Sequence, residues 1–143
     1  MLKALKTLRL VQWSLLLSIL LYAGVAELAA PSVRAVNPTV NYLFSMLAVA
    51  TVGVIFVVRR TLVFRAAESL ATHPDDTISL NHWKTGFIAT YALCEALALF
   101  GLVLRFLGCT FEQCVLFYIG GFVLLFFFRP KEPAIVAGAS ISQ

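Results

Sequence analysis

The chain has 143 residues with a formal net charge of +4, and 61% of the residues are hydrophobic. Soluble domains of this length are about half apolar, and here the excess is gathered into four blocks that leave no separate water-soluble domain. Composition therefore excludes a catalytic head outside the membrane and predicts an all-α integral membrane protein. No nucleic-acid partner is needed to explain the positive charge, because cations beside membrane spans meet anionic lipid headgroups.

The four apolar blocks predict four transmembrane helices packed as one antiparallel bundle, a single domain over residues 1–143. They cover residues 10–30, 42–58, 85–107 and 111–128. Each is long enough to cross roughly 30 Å of hydrocarbon, which takes about 17–25 helical residues. All Lys and Arg residues except Arg34 and Arg105 lie before the first block, between the second and third, or after the fourth. Both termini are therefore predicted to be cytoplasmic, in a multi-pass protein of the bacterial cytoplasmic (inner) membrane.

The first block begins after Lys3, Lys6 and Arg9 and ends before Pro31. Cations followed by an apolar run are also typical of a signal peptide. This run is longer than the roughly 7–15 residues of a signal-peptide core. We therefore expect an uncleaved membrane anchor.

Helix-starting residues precede the second and third helices. Asn37 can cap the second helix, and Pro38 suits its first turn. Beyond the second block, helical spacing continues into a cytoplasmic link over residues 59–84. A polar turn interrupts this link, and Asp75 or Asp76 can cap the helix that follows. The link is therefore predicted to be two helical extensions that meet at a short turn.

Glu95 lies near the middle of the third block, which places it near mid-depth in the bilayer. A charged side chain there costs at least about 2.5–3.5 kcal/mol, and desolvation favours the protonated carboxyl. Two interpretations stay open: a proton carrier, or a neutral acid hydrogen-bonded across the bundle. Matching depths along the other helices gives three candidate partners, Ser18, Thr51 and Tyr118.

The third block also carries small residues at every fourth position, namely Gly86, Thr90, Cys94 and Ala98. Such a stripe lets two helix backbones approach closely in a membrane. Glu95 is one residue away from this stripe. The pattern therefore predicts a tight helix interface with the acid at its edge.

Two residue pairs are expected at the outer ends of the helices. Glu27 and Arg105 could form an ion pair, or each could reach the headgroups separately. Cys109 and Cys114 flank the loop between the third and fourth helices. In an oxidising exterior they could form a disulfide, and two inert thiols are the alternative.

His82, at the mouth of the third block, is a candidate pigment ligand, since a His can bind haem iron or a chlorophyll magnesium. A polar interface histidine is the favoured alternative, because a pigment site between helices would place its His deep in a span. No metal-centre spacing and no nucleotide or hydrolase motif is present. No cofactor is therefore assigned, and the aromatic fourth block suits contact with lipid, carotenoid or chlorophyll.

The stretch HPDDTISLNHWKTGFIATYALCEALALFGLVL, residues 73–104, resembles the carboxylate-bearing helix of the proteolipid c subunit of rotary ATP synthases. In that family a polar turn precedes a helix that carries E-A-L and, further on, G-L-V. The resemblance implies that Glu95 is the ion-carrying carboxylate.

These observations favour a non-enzymatic accessory subunit of a larger bacterial membrane complex, one of respiratory or photosynthetic energy conversion. Its expected partners are other membrane protein subunits and lipids. Two alternatives stay open. One is a proton-translocating, proteolipid-like protein that uses Glu95, and the other is a subunit that binds a pigment or a quinone.

Overall fold

A computed structural model of the chain describes residues 2–29, 37–73 and 76–130, and helices make up nearly all of this part. In chain order they are α1 (Leu2–Ala29), α2 (Pro38–Val58), a π-helical segment (Arg59–Phe64), α3 (Arg65–Thr72), α4 (Thr77–Phe106) and α5 (Phe111–Phe127). The stretch from α2 to α3 is continuous, and we call it the α2–α3 rod. The predicted helical extensions on either side of a polar turn are thus present, but the π-helical segment was not predicted.

Three helices are long and apolar enough to cross a membrane, within Leu5–Ala29, Pro38–Thr72 and Thr77–Phe106. The fourth apolar helix, α5, has 17 residues, which is at the lower limit of about 17–25 residues for a crossing. The described part of the chain is therefore an all-helical bundle, and three of its helices have the length and composition of membrane spans. Four crossings and cytoplasmic termini stay predictions from the sequence.

The starts of α2 and α4 confirm the predicted capping residues. The side chain of Asn37 accepts a hydrogen bond from the Thr39 amide at 3.1 Å, and Pro38 follows at the first helical position. Asp76 accepts from the Ile78 amide at 3.0 Å. Each cap satisfies an amide that has no partner inside its own helix. The alternative cap, Asp75, lies outside the described residues.

The turn between α4 and α5 is set by one glycine. Gly108 has φ of 102°, a left-handed conformation that glycine adopts without strain. Its amide donates to the Arg105 carbonyl, and the Cys109 amide donates to the Leu104 carbonyl, at 3.0 and 3.1 Å. These two bonds form a Schellman motif, which ends α4 and reverses the chain into an antiparallel hairpin.

The central element of the bundle is α4, which packs against every other described helix. α1 packs against both α4 and α5, so these three helices form a compact group. The α2–α3 rod packs along α4. The buried side chains of α4 are accordingly distributed all along the helix, from Trp83 to Leu104.

Candidate functional site

The carboxyl group of Glu95 is bound by two hydroxyl groups of α1. Ser18 Oγ donates to Glu95 Oε1 at 3.0 Å, and Tyr22 Oη donates to the same oxygen at 2.8 Å. Ser18 and Tyr22 are four residues apart, so one face of α1 presents both groups to α4. Glu95 itself is partly buried. The acid in the middle of α4 therefore has hydrogen-bonding partners on a neighbouring helix.

Of the three predicted partners, the structure brings only Ser18 to Glu95. Thr51 donates to the Leu47 carbonyl of its own helix at 2.8 Å. Tyr118 Oη is buried and has no hydrogen-bond partner among the described residues. Matching depths does not establish which side of α4 a residue faces, and this is why two of the candidates are wrong. Tyr22 was missed, although its spacing of four residues from Ser18 was a usable signal.

α1 makes polar contacts at two further levels. Gln12 Nε2 donates to the Leu125 carbonyl of α5 at 2.8 Å, and this bond is buried. Arg105 Nε lies 3.0 Å from Glu27 Oε1 and forms an ion pair, so the structure brings the predicted pair together. We call these contacts, together with those of Glu95, the α1 polar seam. Between residues 12 and 27 the seam extends on the order of 22 Å along α1.

The small residues of α4 are buried as a group, comprising Gly86, Thr90, Cys94 and Ala98. They contact two elements rather than one. A Cβ atom built on Gly86 would lie 2.7 Å from Val63 Cγ2 of the π-helical segment. A Cβ atom built on Gly121 of α5 would lie 2.7 Å from the Cys94 carbonyl oxygen. These small residues therefore let the rod approach α4 closely at Gly86. They let α5 approach α4 closely near Cys94.

The three cysteines are free, and the predicted disulfide between Cys109 and Cys114 is not formed. Cys109 belongs to the C-terminal cap of α4, whereas Cys114 lies in the first turns of α5 and is buried against the bundle. Burial also raises the pKa of the Cys109 thiol. A raised pKa disfavours the thiolate, which is the form that reacts to give a disulfide.

The pigment-ligand candidate, His82, lies exposed near the start of α4, far from the Glu95 contacts. In the described part of the chain, no group of three or more His, Cys, Asp or Glu residues is arranged to hold a metal ion. His82 therefore belongs to no ligand cluster among these residues.

An apolar groove of about 390 Å³ lies between α2 and α5, with Leu97 of α4 at its floor. Small residues form part of both walls: Ser45 and Ala48 on α2, and Gly120 on α5. A Cβ atom built on Gly120 would meet nothing within 4 Å. The groove therefore has room beside a helix backbone on one wall.

The fold and these contacts describe an apolar helical bundle in which Glu95, on the long apolar helix α4, is hydrogen-bonded to α1. Comparison with protein-family models, curated proteins and solved structures gives no match to the chain. Function is therefore argued from the geometry of this chain.

Proposed function

We propose that the protein is a non-enzymatic accessory subunit of a larger membrane complex and that it holds a partner's transmembrane helix in the groove between α2 and α5. The observation that carries this proposal is the uncovered surface of the α2–α3 rod. Only 6% of its apolar stretch is buried inside the bundle. Helices in a membrane associate through close packing of small residues, and this groove offers such residues on both walls.

The spacing of the groove residues supports a helical occupant. Ser45, Ala48, Val49 and Val52 line the groove from α2. They follow the i, i+3, i+4, i+7 spacing of one helix face. A straight ridge of small and β-branched side chains is a surface along which a second helix packs closely.

The contacts of Glu95 support a structural role for this acid. Its carboxylate accepts hydrogen bonds from Ser18 and Tyr22, so it holds α1 against α4. Polar side chains that hydrogen-bond across helices help to hold a helical bundle together. The accessory-subunit proposal therefore needs no transport chemistry at Glu95.

Two matched phenylalanine substitutions test the proposal. Ala48→Phe fills the groove, whereas Ala50→Phe adds the same ring about 200° around α2, at an exposed position. Each variant is produced in cells that contain the natural partners and is extracted in mild detergent. We expect native electrophoresis to show the wild type and Ala50→Phe in an assembly larger than the monomer, and Ala48→Phe released from it. A wild-type protein recovered as a well-behaved monomer, or an Ala48→Phe variant that stays assembled, would contradict the proposal.

Proton translocation through Glu95 is the second candidate. It is favoured by the position of the acid near the middle of the 30-residue α4, with hydroxyl groups beside it that can both donate and accept hydrogen bonds. The test is carbodiimide labelling of Glu95, together with proton flux into vesicles that contain the protein. Labelling and a loss of flux in Glu95→Gln would support this candidate, and unchanged flux in that variant would end it.

A further inference from the structure

A second pocket, of about 1050 Å³, lies where the rod passes the start of α4 and the end of α5. Three arginines line it: Arg59 and Arg60 from the π-helical segment, and Arg129 beyond α5. Aromatic rings of α2, the π-helical segment, α4 and the end of α5 form much of the remaining wall. The pocket therefore combines a cationic lining with an apolar one.

Arg59 is held among the aromatic rings. Its guanidinium carbon lies 4.0 Å from the ring centre of Phe128, 5.5 Å from that of Phe87 and 5.9 Å from that of Phe64. Guanidinium groups stack favourably on aromatic faces, and the stacking leaves the N–H groups at the edge free to donate. Arg59 Nη1 is buried and has no hydrogen-bond partner among the described residues. A buried donor without a partner is costly, so the site is arranged for an acceptor.

The charges that line the pocket are all positive. Of its lining residues only Arg59, Arg60 and Arg129 are charged. Over residues 2–29, 37–73 and 76–130 the one ion pair joins Glu27 to Arg105, and it lies outside this pocket. Three cations in a partly apolar site are stabilised by binding an anion. The strongest binding is expected for an anion whose oxygens accept two hydrogen bonds from one arginine.

The apolar walls and the place of the pocket select the kind of anion. The pocket begins where the apolar residues of α2 end, on the side that the cation distribution predicts to be cytoplasmic. Basic pockets between membrane helices on that side suit the headgroups of anionic lipids. We propose that the pocket binds the phosphodiester headgroup of an anionic phospholipid, with Arg59 at its centre, Arg60 and Arg129 beside it, and the aromatic walls against the glycerol and upper acyl carbons.

The π-helical segment fits this role. Its wider turn carries Arg59, Arg60 and Phe64 to the pocket, together with Val63, which packs at Gly86. Isolated π-helical turns within α-helices are frequent at functional sites. The unusual backbone and two of the three lining arginines thus occur in the same six residues.

A tryptophan in the pocket wall gives a direct test. The chain has two tryptophans, and Trp83 lines the pocket, so Trp13→Phe leaves Trp83 as the sole reporter. The full chain in mild detergent is titrated with phosphatidylglycerol and, separately, with neutral phosphatidylcholine. We expect a saturable change in Trp83 fluorescence with phosphatidylglycerol alone, and one retained lipid in native mass spectrometry.

Removal of the pocket arginines should weaken this binding. Arg59→Gln, Arg60→Gln and Arg129→Gln should each lower the affinity roughly fivefold, the fold-change that corresponds to about 1 kcal/mol per cation near an anionic surface. Arg129 is exposed, so a loss of affinity in Arg129→Gln does not come from failed folding. Unchanged affinity in all three variants would overturn the proposal.

A matched triple variant separates a site from general attraction. Lys6→Gln, Arg9→Gln and Arg65→Gln together remove three exposed cations of the same predicted side. None of the three lines the pocket, and salt screens charges that do not contact the lipid, so we expect the affinity to change by less than about twofold. An affinity loss in this variant equal to that of a variant combining Arg59→Gln, Arg60→Gln and Arg129→Gln would show surface attraction instead. Displacement of the lipid by inorganic phosphate would show a small-anion site. Binding that occurs only after deletion of residues 131–143 would show that this tail occupies the pocket. Each of these outcomes overturns the proposal.

Discussion

α1 and the α2–α3 rod both pack against α4, but they are held in different ways. α1 is bound through the α1 polar seam, with hydrogen bonds or an ion pair at three levels along its length. The hydroxyl groups of Thr51 and Thr61 on the rod bond within the rod itself. Its hydroxyl contact with α4 lies beyond the apolar part, where Ser69 Oγ is 3.0 Å from Ser79 Oγ. Of the apolar stretch of α1, 22% is buried inside the bundle, against 6% for that of the rod.

The difference matters because a membrane offers little hydrophobic driving force between helices. Lipid chains are as apolar as leucine, so helices are held by close packing and by hydrogen bonds. Polar contacts at three levels fix the rotation of α1 about its axis. The rod packs by shape, chiefly at Gly86, and most of its apolar stretch is uncovered. α1 is therefore held in the bundle by polar contacts, whereas the rod is held by close packing.

The largest loss of stability is expected at Gly86, where close packing holds the rod against α4. In Gly86→Leu, the new Cβ would lie 2.7 Å from Val63 Cγ2 and 3.0 Å from Leu62 Cβ. Overpacking of this kind costs about 1–3 kcal/mol. Gly53→Leu is the matched control, since a Cβ there meets nothing within 4 Å. Unfolding in detergent should show a clear loss for Gly86→Leu and little change for Gly53→Leu, and equal stability of the two variants would contradict packing at Gly86.

The next largest loss of stability is expected at the hydrogen bonds of Glu95 in the middle of the α1 polar seam. Tyr22→Phe removes one hydroxyl donor to Glu95, and hydrogen bonds between membrane helices are worth about 0.6 kcal/mol on average and up to about 1.7 kcal/mol. We expect a loss of about 1 kcal/mol in the free energy of unfolding. A double-mutant cycle with Glu95→Leu measures the coupling directly, because the tyrosine hydroxyl has no carboxylate to bind in that background. A coupling near zero would show that the contact does not hold α1.

A smaller loss of stability is expected for the ion pair of Glu27 and Arg105 in the α1 polar seam, because this pair is partly exposed. The Glu27 side chain is 44% exposed, and such pairs contribute about 0–1 kcal/mol. Glu27→Gln should therefore lower stability slightly, and salt should reduce the difference from wild type. The measurement is unfolding in detergent at low and high salt. A loss that is independent of salt would point to packing of the Glu27 side chain instead.

Much of the fold follows from short-range patterns, while the contacts between helices do not. Asn37 and Asp76 act within two residues of themselves, so their capping roles can be predicted from the sequence. The depth of Ser18 is also given by counting residues along a helix. Which face of α4 meets α1 depends on how the helices are rotated, and for this reason Thr51 and Tyr118 were wrong partners for Glu95.

The same limit applies to the arginine pocket. Arg59 could be recognised as a boundary cation, but its stacking on Phe128 joins residues 69 positions apart in the chain. The π-helical segment has no local signature comparable to a cap or a turn glycine. Its position follows from how the rod fits against α4 at Gly86. Contacts of this kind are tertiary, and a single sequence does not specify them locally.

The smallest effect tests whether the rod depends on the hydroxyl contact between Ser69 and Ser79 of α4. The hydrogen bond from Ser79, followed by that from the Ile78 amide, lowers the pKa of Asp76 from its ordinary value. Because the folded-state pKa is lowered, the stabilisation is fully present above the unfolded-state pKa and is lost as the pH falls through the folded-state pKa. The chemical shift of the Ile78 amide should follow this titration, and in Asp76→Asn, which caps without titrating, it should not.

If close packing holds the rod against α4, the rod should stay in place while Asp76 titrates. Acidification then loosens the cap of α4 and the neighbouring contact between Ser69 and Ser79, while Val63 stays packed at Gly86. Hydrogen exchange at the Val63 amide should therefore remain slow across the pH range in which the Ile78 shift changes. Release of Val63 together with the cap would mean that the rod is held by polar contacts, as α1 is, and the contrast between the two would be lost.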